Sequence, residues 1–195
     1  MSKAKNPGPI GRRLRELRET EGWTLADVNQ KTGISKSTLS KIENGQTQLS
    51  FVTVNRLSEG LEIPITTLTA PESGKHLARR SVTRRGNGTE FETVGARYEV
   101  LCDDIRGNHQ TFMRIHITAR AGDESVDWRQ HPGQEFVYVL SGTLELQTEA
   151  YEPTLLKPGD SILFDASMQH RYLSRGRKDA EILCTMQAQG YTDID

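Results

Sequence analysis

Residues that could bind a metal ion or an anion lie close together in the second half of the chain. The segment RQHPGQEFVYVLSG contains Arg129 and His131 just before an apolar run, and Glu135 at the start of that run. Residues two apart in an extended chain share a face, so we expect these three side chains to point the same way. His170 and Tyr172 share a face in a later segment.

Two kinds of site would use these residues. Two imidazoles and a carboxylate that converge suit a divalent transition metal, which usually takes three or four protein ligands. Arg129 is a permanent cation that cannot coordinate a metal, and its guanidinium would attract a carboxylate or a phosphate instead. The sequence leaves open a metal site at His131, Glu135 and His170, a cavity for an anionic small molecule, and a purely structural pairing of Glu135 with Arg129.

A second strand-like run adds two candidates for the same cavity. Arg114 and His116 lie on the alternate face to Met113, Ile115 and Ile117. Alternation alone does not say which of the two faces points inward. The candidate effector-binding residues are Arg114, His116, Arg129, His131, Glu135, His170 and Tyr172.

The elements around these residues have the pattern of short strands. The runs RYEVLC, FMRIHI, EFVYVL, LELQT, SILFDA, HRYLS and EILCTM are rich in β-branched and aromatic residues. Glycine, proline or charged clusters separate them, a pattern typical of an antiparallel sandwich or barrel. We therefore predict an all-β domain over residues 91–195.

The first part of the chain has helical spacing instead. Ile10, Leu14 and Leu17 fall on one face of a first predicted helix. Ser35 is placed to cap a third helix, after a tight turn at Gly33. Two short helices joined by such a turn form a helix-turn-helix.

The third helix of this unit presents short polar and basic side chains away from its buried face. Hydroxyls near the N-terminus of a helix can approach base edges, and lysines suit phosphates. The sequence therefore predicts double-stranded DNA as a partner, with contacts from Lys36, Ser37, Thr38, Ser40 and Lys41.

The stretch TGISKSTLSKIENG closely resembles the DNA-binding domain of the lambda repressor/Cro family, and the resemblance covers about residues 8–70. It implies a five-helix domain whose third helix, over residues 35–44, enters the major groove. It also implies that the start of the second helix and the loop over residues 45–50 lie near the phosphate backbone. These positions add four candidate DNA contacts: Thr24, Ser35, Asn44 and Thr47.

The stretches AGDESVDWRQHPGQEFVYVLSG and KPGDSILFDASMQHRYLS together resemble the two motifs of the cupin family, over about residues 110–187. The resemblance implies a double-stranded β-helix, or jelly roll, whose metal is usually held by three histidines and one glutamate. His131, Glu135 and His170 match three of those positions, and Arg129 replaces the first histidine. We therefore expect no required cofactor, and zinc, iron, manganese or nickel at the three matching residues is the alternative.

Charge and composition agree with two domains that have different partners. Residues 1–70 carry a net charge of +3, residues 71–90 carry +3, and residues 91–195 carry −7. Residues 71–90 are rich in Gly, Ser and Arg, which predicts a basic linker. No apolar run reaches the roughly 20 residues of a membrane helix, and only Cys102 and Cys184 carry thiols. We expect a cytoplasmic protein without a membrane partner.

Joined together, the two halves resemble a bacterial transcriptional regulator whose cupin domain senses a small, anionic or carboxylated effector. A homodimer is expected, because one helix-turn-helix covers only a half-site, and a tetramer is not excluded. One alternative is a metal-dependent isomerase or oxygenase fused to a DNA-binding domain. Another is a constitutive DNA-binding protein whose barrel serves only to dimerise.

Overall fold

The chain folds into a helical N-terminal part and a β-rich C-terminal part, as the sequence predicts. The structure is a computed structural model that describes residues 7–69, 80–105 and 110–187. Residue 70 and residues 71–79 of the predicted linker lie outside the described residues, and residues 80–88 form neither helix nor strand. The helices are α1 (Pro9–Thr20), α2 (Leu25–Thr32), α3 (Lys36–Glu43), α4 (Phe51–Leu61) and α5 (Ile65–Thr69).

Side-chain caps set where the helices begin. The Thr24 hydroxyl accepts a hydrogen bond from the Asp27 amide at 3.3 Å, and the Asp27 carboxylate accepts one from the Thr24 amide at 2.7 Å. This is a reciprocal capping box at the start of α2. Ser35 caps α3 as predicted, and Ser50 caps α4 in the same way. Gly33 ends α2 with φ of 67°, a left-handed conformation that glycine adopts without strain.

A buried carboxylate ties α3 to α1 beside the helical core. Glu43, at the end of α3, is only 3% exposed. Arg18 of α1 donates to both of its oxygens, at 2.7 and 3.0 Å, and Arg15 donates at 3.3 Å. Because paired charges can be buried where single ones cannot, α3 is held against α1 by ion pairs as well as by apolar packing.

Nine strands form two sheets in the part of the chain that the structure describes. The strands are β1 (Thr89–Thr93), β2 (Ala96–Leu101), β3 (Gln110–Ile117), β4 (Gln134–Ser141), β5 (Leu144–Thr148), β6 (Thr154–Leu156), β7 (Ser161–Asp165), β8 (His170–Ser174) and β9 (Ala180–Gln187). The larger sheet has the order β1-β2-β3-β9-β4-β7, and the smaller has the order β6-β5-β8. Their inner faces meet where Tyr172 of β8 contacts Glu135 of β4. This arrangement is the jelly roll that the sequence predicts.

The register of the larger sheet fixes which side chains face inward. Met113 of β3 is opposite Cys184 of β9, which is opposite Val137 of β4. All three are fully buried. Because alternate residues of a strand share a face, Glu135 lies on the same inner face as Val137.

The helical part contacts the β-rich part through the segment that leads into α4. Leu49 forms a parallel bridge with Thr93 of β1, and its carbonyl accepts from the Val94 amide at 3.3 Å. The Gln48 side chain donates to the Thr93 carbonyl at 3.3 Å. Across the three described ranges, no helix combines the length and the apolar character needed to span a bilayer.

Candidate functional site

The third helix presents the predicted polar face to solvent. Leu39 and Ile42 are buried against the helical core. On the other side, Lys36, Ser37 and Lys41 are exposed, and Thr38 and Ser40 are half-buried. The structure thus gathers five of the proposed DNA contacts on one accessible surface.

The other four proposed DNA contacts also hold local structure together. The Ser35 hydroxyl accepts from the Thr38 amide, and Thr24 is engaged in the capping box with Asp27. The Asn44 side chain donates to the Ser40 carbonyl at 2.7 Å and accepts from Arg15 at 2.8 Å. Thr47 is exposed in the loop before α4. Of these four, Thr47 is the least committed to contacts within the chain.

Inside the β-rich part, the predicted histidines and glutamate meet. We call Arg129, His131, Glu135, His170 and Tyr172 the barrel site. The His131 Nε2 lies 3.1 Å from Glu135 Oε2, and the His170 Nε2 lies 3.3 Å from the same oxygen. Reciprocal backbone hydrogen bonds at 2.7 and 2.8 Å pair Arg129 with His170. The two sequence motifs, about 40 residues apart, are therefore joined at one point.

The carboxylate of Glu135 is the centre of a buried network. Its other oxygen, Oε1, accepts from the Tyr172 hydroxyl at 2.7 Å and from the Cys184 thiol at 2.8 Å. Burial alone would raise the pKa of Glu135, but the two histidines beside it lower this pKa well below its ordinary value. Burial, and then the carboxylate beside them, raise the pKa of Tyr172 and Cys184 well above their ordinary values. The site therefore holds one ionised carboxylate and two neutral donors.

Three of these side chains fit a divalent metal ion. Ligand atoms about 2.0–2.2 Å from a tetrahedral ion lie roughly 3.3–3.5 Å apart, and the two Nε2–Oε2 distances are close to this range. Nδ1 of His170 lies 2.9 Å from the Met168 carbonyl, and Nδ1 of His131 lies 3.3 Å from the Pro132 carbonyl. If both Nδ1 atoms donate, the Nε2 lone pairs face Glu135, so a proton or a metal must lie between them. Within the described residues, His170 Nε2 has no partner in hydrogen-bonding geometry.

Arg129, which stands where the cupin resemblance expects the remaining histidine ligand, is a buried cation. Arg129 is 4% exposed, and its guanidinium carbon lies 4.7 Å from the Phe51 ring centre, 5.1 Å from that of Tyr172 and 5.7 Å from that of Tyr98. Burial would lower the pKa of Arg129, but the surrounding acidic groups, Tyr98 and Glu135 first among them, raise it above its ordinary value. The guanidinium therefore stays charged and supplies no metal ligand.

Arg114 and His116 do not belong to the barrel site. The inner face of β3 carries Met113, Ile115 and Ile117, so the two polar side chains point to the outer face. There Arg114 pairs with Glu99 and Glu181, and His116 lies 3.0 Å from Asp179. The alternation of residue types defines two faces of β3 but does not say which face points into the barrel, and the structure shows that the apolar face does.

The sequence interpretation missed two aromatic residues at the barrel site. Tyr98 of β2 is fully buried, and Phe51 of α4 stacks on it with ring centres 5.4 Å apart. Phe51 also lies 6.5 Å from the His131 ring. Helical spacing predicts only that Phe51 lies on the inner side of α4, and no signal within that helix reports a contact with another domain.

Comparison with known proteins supports two joined domains. A model of a helix-turn-helix domain matches residues 9–70, and a model of a cupin domain matches residues 115–186. The HTH-type transcriptional regulator SutR of Escherichia coli is 27% identical over 167 residues, which cover 85% of this chain and 86% of SutR. The HTH-type transcriptional regulator SinR of Bacillus subtilis is 37% identical over 60 residues, 30% of this chain and 54% of SinR.

A solved structure shows the same fold over nearly the whole chain. The HTH_3 family transcriptional regulator from Vibrio cholerae has a TM-score of 0.63 and 18% sequence identity. The match covers 93% of this chain and 96% of that one.

Proposed function

Because this chain joins an N-terminal helix-turn-helix domain to a C-terminal cupin domain, we propose that it is a transcriptional regulator, which binds a specific DNA sequence through α3 under the control of an anionic effector. The observation that carries the proposal is the surface of α3, where Lys36, Ser37 and Lys41 are exposed beside a buried apolar face. Such a helix can enter the major groove, with its hydroxyls near base edges and its lysines near phosphates.

The salt dependence of DNA binding tests this role of α3. Each phosphate contact removed by mutation lowers the slope of log affinity against log salt by about 1. The double variant Lys36→Ala/Lys41→Ala should therefore bind DNA more weakly, with a slope smaller by about 2. The matched control is Lys157→Ala/Lys178→Ala, which removes two exposed lysines from the cupin domain. Equal slopes for the two double variants would contradict the proposal.

The effector is proposed to be a small molecule with a carboxylate or a similar anion. Arg129 is buried, charged and without a carboxylate within 4 Å among the described residues, and a guanidinium binds carboxylates through paired hydrogen bonds. A ligand present at about 100 times its dissociation constant stabilises the folded state by about 2.7 kcal/mol. Thermal unfolding against a panel of carboxylates should show such a shift, and Arg129→Gln should remove it. A melting temperature unchanged by every ligand would favour a barrel that only dimerises.

The proposed assembly is a homodimer. The helix-turn-helix domains of two subunits would read the two half-sites of an operator. The cupin domain also carries apolar residues on the outer face of its larger sheet. Tyr138, Leu140 and Leu163 are 39%, 42% and 59% exposed there. Leu163 lies opposite Phe136 in the register of β4 and β7, so these side chains form a continuous patch of the kind that marks interfaces.

A metal-dependent cupin enzyme is the second candidate function. It is favoured by His131, Glu135 and His170, whose ligand atoms all lie within 4.8 Å of one another. A zinc, iron, manganese or nickel ion held there would supply a Lewis acid, and the Tyr172 hydroxyl would orient the Glu135 carboxylate. Metal analysis of the purified protein separates the candidates. Near-stoichiometric metal that is lost in His170→Ala would favour the enzyme, and Arg129 argues against it.

A further inference from the structure

The geometry points to Phe51 as a lid on the barrel site. An anionic ligand of Arg129 must displace this lid, and the displacement couples the barrel site to the loop over residues 45–50, which carries the proposed DNA contact Thr47. This inference rests on the proposed function, because it assumes that the barrel site binds the effector. It adds the physical connection between that site and the helix-turn-helix domain.

Phe51 belongs to one domain and is buried by the other. It is the first residue of α4, and it is 4% exposed. Its ring stacks on Tyr98 of β2 with planes 22° apart, and Tyr98 stacks in turn on Phe91 of β1 at 4.7 Å. On another side, the Arg129 guanidinium lies over the Phe51 ring at 4.7 Å. A side chain of the DNA-binding domain therefore covers the charged end of the barrel site.

Arg129 lacks the partner that a buried guanidinium requires. In the described ranges, aromatic rings lie on several sides of its side chain, which makes no hydrogen bond and no ion pair with a carboxylate. Aromatic faces attract a cation, but they do not replace hydrogen-bond acceptors for its five N–H donors. Another buried polar atom of this region, the Tyr98 hydroxyl, also lacks a hydrogen-bond partner in the described residues. The guanidinium and the Tyr98 hydroxyl are both hydrogen-bond donors, which a polar, anionic ligand would satisfy.

The cavity that the structure shows beside Arg129 and Phe51 is too small for such a ligand while Phe51 is in place. The cavity that Phe51, Val126 and Arg129 line has a volume of about 10 Å³, which is room for about one water molecule. Tyr98 and Tyr172 are fixed on strands of the two sheets, whereas Phe51 comes from a helix outside them. A carboxylate with an apolar body of about the size of a ring could take the place of Phe51, between Tyr98 and Arg129.

Displacing Phe51 would move the chain that leads to the proposed DNA contacts. Thr47 is four residues before Phe51, and between them Gln48 and Leu49 bond to Thr93 and Val94 next to β1. A ligand that displaces Phe51 therefore also shifts the short segment that positions Thr47. By linkage, a ligand that changes DNA affinity through this segment has its own affinity changed by DNA by the same factor.

The test compares benzoate binding to the intact chain and to two variants of α4. Phe51→Ala removes the lid, and Phe51→Leu repeats the test with a smaller change in packing. Val54→Ala is the matched control, because Val54 is fully buried on the same helix in the helical core. Isothermal titration should show benzoate binding to Phe51→Ala at least about tenfold more tightly than to the wild type or to Val54→Ala. Equal affinities in all of these proteins would overturn the lid.

A second readout separates failure of the lid from failure of the effector site. Hydrogen exchange of residues 45–50 needs no ligand, and it should be faster in Phe51→Ala than in Val54→Ala. Unchanged exchange overturns the lid even if benzoate binds. If exchange is faster but neither benzoate, acetate nor phosphate binds to Phe51→Ala, the anion site fails, and the ligand-displacement step of the inference fails with it. Loss of benzoate binding in Phe51→Ala/Arg129→Gln is the expected result.

Discussion

Replacing the Glu43 carboxylate by an amide should weaken the packing of α3 against α1. Glu43 is 3% exposed, and its two oxygens accept three hydrogen bonds, two from Arg18 and one from Arg15. In Glu43→Gln one side-chain oxygen remains, the negative charge is removed, and an NH₂ group faces a guanidinium. The variant therefore forms at least one hydrogen bond fewer and leaves a positive charge without its counterion.

The size of the effect depends on the hydrogen bonds that are removed and on the exposure of the two arginines. A hydrogen bond to a charged group contributes about 1.5–3 kcal/mol, and breaking a fully buried ion pair costs about 3–5 kcal/mol. The side chains of Arg18 and Arg15 are 18% and 41% exposed, so water can solvate part of the freed charge. We therefore expect Glu43→Gln to lower the free energy of unfolding of the helical domain by about 2–3 kcal/mol.

Urea denaturation followed by tryptophan fluorescence measures this change in stability. Trp23 packs against the helical core, and a Trp128→Phe background leaves it as the one tryptophan of the chain. The control is Glu16→Gln, which removes a carboxylate that pairs with Arg13, the two side chains being 31% and 28% exposed. Exposed pairs contribute about 0–1 kcal/mol. A destabilisation by Glu43→Gln no larger than that by Glu16→Gln would refute the role assigned to Glu43.

Three further changes probe separate parts of the molecule. Thr24→Ala should cost about 0.5–2 kcal/mol of stability. Hydrogen bonds from Thr24 lower the pKa of Asp27 in the folded protein. The stabilisation by the ionised Asp27 should therefore be complete above the ordinary pKa of an aspartate and disappear as the pH falls through the lower pKa of the folded state. Thermal melts at several pH values measure this change. Leu163→Glu should dissociate the proposed homodimer in sedimentation, whereas Leu155→Glu, 53% exposed in the other sheet, should not. Gly142→Ala should destabilise the cupin domain by about 1–3 kcal/mol in denaturation, because φ is 73° and a Cβ would overlap a backbone oxygen before β9.

Local signals in the sequence were enough to predict the helical domain. Thr24, Ser35 and Ser50 each cap a helix through their own side chains, so the positions where the helices begin depend on a few neighbouring residues. Local signals were also enough to predict seven of the nine strands. The two strands that were not predicted are β1 and β6: the first, TEFET, is rich in charged and polar residues, and the second has only three residues. Pairing with neighbouring strands, which the sequence does not show, makes them strands.

The barrel site was predicted where a motif joined distant residues, and missed where the answer depended on packing. The cupin resemblance brought His131, Glu135 and His170 together, and the structure places their ligand atoms side by side. Arg114 was assigned to the wrong side because alternation defines two faces without saying which is inner. Phe51 was missed because its role depends on how the domains pack, and the period of α4 carries no information about that.

The measurement that bears most directly on the proposed function is the ratio of two dissociation constants. The intact protein is titrated with a duplex selected from a random pool and with random-sequence DNA, at one fixed salt concentration. If α3 reads base edges, the selected duplex should bind at least about 10³-fold more tightly, and Ser37→Ala should reduce the ratio. A ratio near one at physiological salt would contradict the proposal that this chain recognises a DNA sequence.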